Sequence, residues 1–209
     1  HTSGSGSGPF TWSHHYPRLA YITGSGGKIN RAFFSDYNAG GSNLFSGAVN
    51  IPGGPWTIGF VVDVPQAMLN ASSSYYHRIY HYTCELGAGF EVVNDGTIKF
   101  KGGVINRNLT NLSHITSSGG IYSVIVTHDG LASGTPTSRL YVNGVQKDTY
   151  SNAFYYGNGA TGLGLSTPDI SGPTNDTTPK LGDMFFKSGE LSAVEVGYLH
   201  NYWADKFGF

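Results

Sequence analysis

The stretch Ile121–Val145, IYSVIVTHDGLASGTPTSRLYVNGV, constrains the fold more than any other. In Ile121–Thr127, Tyr122, Val124 and Val126 alternate with Ile121, Ser123 and Ile125. Both faces carry apolar groups, so the segment reads as a strand buried on two sides. Asp129-Gly130 then opens a turn and a polar loop. Arg139–Asn143 alternates again, with Leu140 and Val142 against Arg139 and Tyr141. Asn143-Gly144 supplies two residues that tolerate positive φ, as a two-residue type I′ hairpin requires. Val145–Tyr150 returns as the partner strand. A buried strand followed by a tight hairpin indicates an antiparallel β protein.

The remainder of the chain follows the same alternation. Trp56–Val64 places Ile58, Phe60, Val62 and Val64 on one face and Thr57, Gly59, Val61 and Asp63 on the other. It follows the turn Pro52-Gly53-Gly54-Pro55, and Leu44–Val49 reads as a strand before it. Tyr21–Thr23 and Arg31–Phe34 are short strands separated by the Gly24–Gly27 loop. Phe90–Val93 and Thr97–Lys101 form a hairpin around Asp95-Gly96. Gln66–Ser74 reads as a loop or single helical turn, Val104–Ser118 as a long surface connection, and Ser166–Pro179 as a loop. Leu181–Phe186 is the last strand.

Leu191–Phe207 is the one helix the pattern supports. Ser192 and Glu195 have capping-box spacing. Lys206 lies in the last turn, and Gly208 supplies a left-handed stop. Val194, Tyr198, Leu199, Tyr202 and Trp203 recur at helical spacing and are expected to pack on the sheets.

Two stretches resemble a known family. VIVTHDG…RLYVNGV is similar to laminin-G-like, concanavalin A-type jelly rolls, in which a strand and Asp-Gly turn precede a "LYVNG" hairpin. KLGDMFFKSGELSAVEVGYLHNYWADKFG resembles the ending of such domains in bacterial and phage surface proteins. Trp56–Val64 also resembles an early strand of these domains. The resemblance implies an all-β fold: an antiparallel β-sandwich of concanavalin A-like jelly-roll type with one C-terminal α-helix. It does not fix a function, because the fold hosts lectins, glycosidases and adhesion modules.

Length and composition fit that class. The 209 residues suit one sandwich domain, here 9–209, after a Ser/Gly-rich run at 1–8 that reads as a flexible linker or tag remnant. Thirty-one glycines and 12% charged residues fit many turns between short strands. A net charge of −1 without a basic run argues against nucleic acid. No apolar run approaches a membrane span. Cys84 is the only cysteine, so no intrachain disulfide can form. Together with the Gly/Ser/Thr/Asn/Tyr content, this suits an extracellular or virion-surface protein of bacterial or phage type. The glycosylation-type triplets at Asn70, Asn108, Asn111 and Asn175 read as chance matches in so Asn/Ser/Thr-rich a chain.

Catalytic patterns are sparse. Glycosidases use a carboxylate pair. Here Glu85 and Glu91 are separated by turn glycines, and Glu190 and Glu195 straddle a helix start, where solvated or capping roles explain them better. His128-Asp129 resembles a dyad, yet adjacent strand residues diverge and the turn accounts for Asp129. His14-His15 fails as a metal pair for the same reason. An N-terminal His1 could form a copper-binding brace as in polysaccharide oxygenases, although the Ser/Gly run after it would hold the ring poorly. Laminin-G-like domains often bind Ca²⁺ on rim loops. The candidates are Asp169, Asn175, Asp176 and Asp183, with Asp95 at the other end, although turn formation explains these residues better; no cofactor is expected, with Ca²⁺ as the alternative.

Aromatics offer the richest binding chemistry. Sugar rings stack their C–H faces on Tyr and Trp, while Asn, Asp, His and Arg bond the hydroxyls. Strict alternation would put Tyr76, Arg78, Tyr80 and Tyr82 on one strand face, and Tyr155, Tyr156 and Asn158 lie on a loop. One face of that strand must enter the core, so some of these tyrosines are structural. The leading expectation is a non-enzymatic recognition module that binds cell-surface glycans or serves adhesion on a phage or bacterial appendage, strengthened by oligomer avidity. The alternatives are a structural virion decoration or fibre-head domain packed on other virion proteins, and a polysaccharide-active enzyme using an atypical acid pair or copper at His1.

Overall fold

The computed structural model describes residues 18–34, 55–69, 76–82, 88–93, 96–102, 107–111, 119–130, 136–151, 163–166 and 179–209. Residues 18–19, 33–34, 76–82, 88–93, 99, 101–102, 107–111, 163–166 and 186 are described by their backbone alone. The strands are β1 (Arg18–Thr23), β2 (Ile29–Phe34), β3 (Trp56–Val64), β4 (Tyr76–Tyr82), β5 (Ala88–Val93), β6 (Ile98–Gly102), β7 (Arg107–Asn111), β8 (Gly120–His128), β9 (Thr137–Val142), β10 (Val145–Ser151), β11 (Leu163–Ser166) and β12 (Lys180–Ser188). A single turn, α1 (Gln66–Leu69), follows β3, and α2 (Ala193–Phe207) closes the chain.

Two antiparallel sheets form. The first runs β1-β2-β12-β3-β8-β9-β10 and the second β11-β4-β5-β6-β7. The fold is therefore the expected antiparallel sandwich with one C-terminal helix. Helix α2 covers the outer face of the larger sheet, so its central strands β3, β8 and β9 are buried on both sides.

Period-2 alternation divides the core in two. Trp56, Ile58, Phe60, Val62 and Val64 of β3 join Tyr122, Val124, Val126, Leu140 and Val142 to face Ile98 and Phe100 of the smaller sheet. The opposite face contributes Val61, Ile125 and Tyr141, with Ile22 and Ala32, to a second cluster under Leu191, Val196, Trp203 and Phe207. This explains why Ile121–Thr127 carries apolar groups on both sides.

Several local expectations hold. Asn143 and Gly144 have φ of 50° and 73°, as the hairpin turn demands. Asn143 is also tied to β8: its N–H donates to Ser123 O, and its Oδ1 accepts from Ser123 N. The capping box of α2 is present, with Ser192 Oγ accepting from Glu195 N and Glu195 Oε2 accepting from Ser192 N. Gly208 ends the helix in the left-handed region. Leu44–Val49 lies outside the described residues.

Other expectations are corrected. The helix begins at Ala193, two residues after Leu191. Its packed face is Val196, Trp203 and Phe207 with Leu199, whereas Val194, Tyr198 and Tyr202 are 64%, 70% and 58% exposed. The contact stripe is offset because the indole of Trp203 sets the rotation. It lies over Gly59, where a Cβ would stand 3.1 Å from Trp203 Cη2. The span Val104–Ser118 is not all connection, since it contains β7, paired to β6.

Candidate functional site

The smaller sheet has one face turned to the sandwich core and one turned away, and register decides which residues belong to each. Strand β4 pairs Tyr76 with Val93 and Arg78 with Glu91, then shifts, pairing Tyr80 with Phe90 and Tyr82 with Ala88. The irregularity between Arg78 and Tyr80 is a β-bulge, which inserts one residue and reverses the alternation beyond it. Tyr76, Arg78, Tyr80 and Tyr82 therefore do not share one face. Directly paired residues in an antiparallel ladder share a face. Tyr80 registers with Phe90, Phe90 with the buried Phe100, and Phe100 with Leu109, so that row belongs to the core face. Leu163, Tyr82 and Ala88 form the next core-face row.

The outer face is differently composed. One row runs Ser166, Arg78, Glu91, Lys99, Thr110; the next runs Gly164, His81, Gly89, Lys101, Asn108. Tyr76 and Val93 form a third. Hydrogen-bonding and charged residues thus occupy the outer register rows, with one tyrosine beside Arg78. The bulge was illegible in strict alternation. Tyr155, Tyr156 and Asn158 lie outside the described residues, as do Asp169, Asn175, Asp176, Asp95, Glu85, His1, His14 and His15.

Asp183, Glu190, Glu195, His128 and His200 have structural partners. Both oxygens of Asp183 accept from Lys206 Nζ, at 2.8 and 2.7 Å. The Lys206 ammonium is thus the partner this structure gives the calcium candidate Asp183. Glu190 Oε1 accepts from Arg139 Nη1 at 2.6 Å and Thr127 Oγ1 at 3.1 Å, so this partly exposed carboxylate serves an ion pair and not a cap. Glu195 is held in the capping box, and those bonds lower its pKa. Among the described residues, no three His, Cys, Asp or Glu side chains gather as a metal-binding group.

Two Ser–His contacts need explanation. His128 Nδ1 lies 2.7 Å from Ser138 Oγ, and its ring stacks on Trp56 at 5.0 Å. Asp129 turns away and accepts from Thr137 N. His200 Nδ1 lies 2.9 Å from Ser123 Oγ, joining α2 to β8. Both serines have no exposed surface, so neither hydroxyl can meet a substrate. Burial lowers the pKa of both histidines, against a smaller opposing effect of Asp129 on His128. These pairs tie elements together.

A second accessible group lies at the other end of the larger sheet. Tyr21 pairs with Arg31 and Thr23 with Ile29 across β1 and β2. All four are exposed, Tyr21 by 51% and Ile29 by 66%. Nothing in the alternation pattern distinguished Tyr21 from an ordinary strand tyrosine.

Known structures share this architecture. The binding domain of Paraclostridial Mosquitocidal Protein 1 aligns with TM-score 0.64 and 13% identity over 93% of this chain and 47% of that one. The botulinum neurotoxin serotype D binding domain aligns with TM-score 0.58 and 15% identity over 91% and 48%. The serotype D ligand-binding domain in complex with N-acetylneuraminic acid aligns with TM-score 0.53 and 15% identity over 94% and 45%. The chain spans about half the length of these domains. At such identities the likeness establishes the β-sandwich fold. No family model matches the sequence. No curated protein matches it. No described helix is long and apolar enough to cross a membrane.

Proposed function

We propose that this chain is a non-enzymatic glycan-binding or adhesion module of the laminin-G-like, concanavalin A-type class, carried on a bacterial or phage surface structure. The observation that carries the reading is the division of the smaller sheet. Its inner register rows contain Phe90, Phe100 and Leu109, and its outer rows contain Tyr76, Arg78, His81, Glu91, Lys99, Lys101, Asn108 and Thr110. That outer set pairs one stacking surface with many hydroxyl-directed donors and acceptors, the chemistry of a shallow saccharide site. The similar folds support it in kind: they are binding domains of toxins, one in complex with N-acetylneuraminic acid. On sequence grounds Tyr155, Tyr156 and Asn158 extend the proposed surface, while on β4 it narrows to Tyr76 and Arg78. Ca²⁺ dependence is part of the test.

The test is a glycan array with wild type and a Tyr76→Ala/Arg78→Ala variant, each with and without Ca²⁺. Specific binding by wild type, lost in a variant of unchanged melting temperature, is the expected result. A blank array from folded wild-type protein, at its native oligomeric state, rejects the reading.

One observation favours a second reading, a structural fibre-head or decoration domain packed on other virion or appendage proteins. Val194, Tyr198 and Tyr202 form an exposed apolar ridge along α2 at four-residue spacing. Light scattering of wild type beside Tyr198→Ser/Tyr202→Ser separates the two: loss of an oligomer in the variant, with a blank array, favours the structural role.

A further inference from the structure

We infer that the exposed face of the β1–β2 hairpin, centred on Tyr21 and Arg31, is a second saccharide site selective for a carboxylated sugar residue. The inference rests on the glycan reading above but on different residues and a different sheet.

Four observations converge on the hairpin. First, Tyr21 and Arg31 are direct cross-strand partners. Such positions put Cβ atoms about 5 Å apart, so a ring and a guanidinium are carried on neighbouring stems. Both are exposed, as are Thr23 and Ile29 in the next row. Met184 of β12, 39% exposed, adds an apolar group on the same face. Its face follows from register, because Met184 pairs with the core residue Phe60 while Leu181 links Phe33 to Val62.

Second, no described carboxylate takes up the charge of Arg31. Lys28, Arg139, Lys180 and Lys206 are paired with Asp205, Glu190, Asp63 and Asp183. Arg31 has no carboxylate partner among the described residues. Third, the opposite face of the hairpin is fixed. Ile22 and Ala32 are fully buried beneath α2. Asn30 Nδ2 donates to Lys206 O, Ser25 Oγ to Gly208 O, and Lys28 Nζ to Asp205. At Gly24 any Cβ would collide with Phe207 O, so strand and helix are in backbone contact. Fourth, the two exposed groups match one ligand chemistry. A tyrosine ring stacks the C–H face of a pyranose, and a guanidinium takes a carboxylate through two parallel N–H bonds. A rigid platform lowers the ordering cost of such a small site.

A neutral sugar would use only the ring, so the acidic sugar gains the charge-assisted bonds. Those bonds correspond to about a 10- to 100-fold preference.

The probe is 3′-sialyllactose, compared with lactose, titrated into ¹⁵N-labelled protein while backbone amide shifts are followed. Amides of 20–23 and 29–32 are expected to shift with sialyllactose at least about 10-fold more tightly than with lactose. Arg31→Ala is expected to abolish that preference, and Tyr21→Ala to weaken both sugars. Both sites are exposed, and melting temperature reports whether the variants stay folded. Equal binding of both sugars at the hairpin, or unchanged selectivity in Arg31→Ala, overturns the proposal. Shifts confined to β4–β6 overturn it too, yet leave the glycan reading standing. A wild-type dimer that disappears in Tyr21→Ala assigns the face to self-association and also overturns it.

Discussion

His200 shows how much a single residue carries here. Its Nδ1 meets Ser123 Oγ, its ring lies 5.8 Å from that of Phe209, and Gly144 leaves room for it. A Cβ on Gly144 would stand 2.8 Å from His200 Cδ2, so the glycine of the hairpin turn also serves the helix. The turn chemistry of Asn143-Gly144 was legible because local backbone energetics dictate it. The second duty of Gly144 was not, because its partner lies far away in sequence. Burial holds His200 below the ordinary histidine value of 6.5, and His128 shifts the same way. As pH falls below 6.5 the unfolded chain takes up protons that the folded rings refuse, so folding stability must decline. Above that value both states are neutral and this contribution is flat. Thermal melts between pH 7.5 and 5 are expected to show a falling midpoint. His200→Gln should lessen the slope, leaving the share due to His128. An identical slope in the variant would remove His200 from the account.

At the scale of elements, α2 divides what sequence reveals from what it conceals. Its ends were readable: Ser192, Glu195 and Gly208 act through bonds to neighbours in sequence. Its buried face was only partly legible. Of the expected stripe, Leu199 and Trp203 pack on the sheet, while Val194, Tyr198 and Tyr202 face solvent and Val196 and Phe207 join the contact instead. Both stripes are apolar, and only the complementary gap above Gly59 selects one rotation. Trp203→Ala is accordingly expected to cost about 3–5 kcal/mol in urea unfolding. Tyr198→Ala and Tyr202→Ala should each stay within about 0.5 kcal/mol. Comparable losses at all three positions would contradict the rotation described. Strand β4 repeats the lesson. Its aromatic content was plain, but the bulge after Arg78 redistributes the tyrosines between faces, and nothing local announces a bulge.

For the molecule as a whole, three layers account for stability: the smaller sheet, the larger sheet and α2. The central strands of the larger sheet, β3, β8 and β9, are apolar on both faces and require both coverings. Removing residues 191–209 would bare Ile22, Val61, Ile125 and Tyr141 to water. Such a patch on a free sheet face drives association. The truncated protein is expected to bind a hydrophobic dye strongly and to elute as aggregates in size-exclusion chromatography. A monomeric, dye-silent truncation would show that the helix is dispensable. The two proposed sites use the faces that neither covering needs, the outer rows of β4–β7 and the free face of the β1–β2 hairpin.

By itself the sequence determined the class of fold, the Asn-Gly hairpin, the double-sided burial of β8 and the caps of the helix. Each depends on periodicity or on interactions within a few residues, which are written into adjacent positions. Tertiary structure alone decided which helix stripe packs, where β4 changes face, that Asp183 serves Lys206, and that Tyr21 and Arg31 stand together in solvent. These depend on register, on volume and on partners far apart in the chain, and a linear pattern specifies none of them.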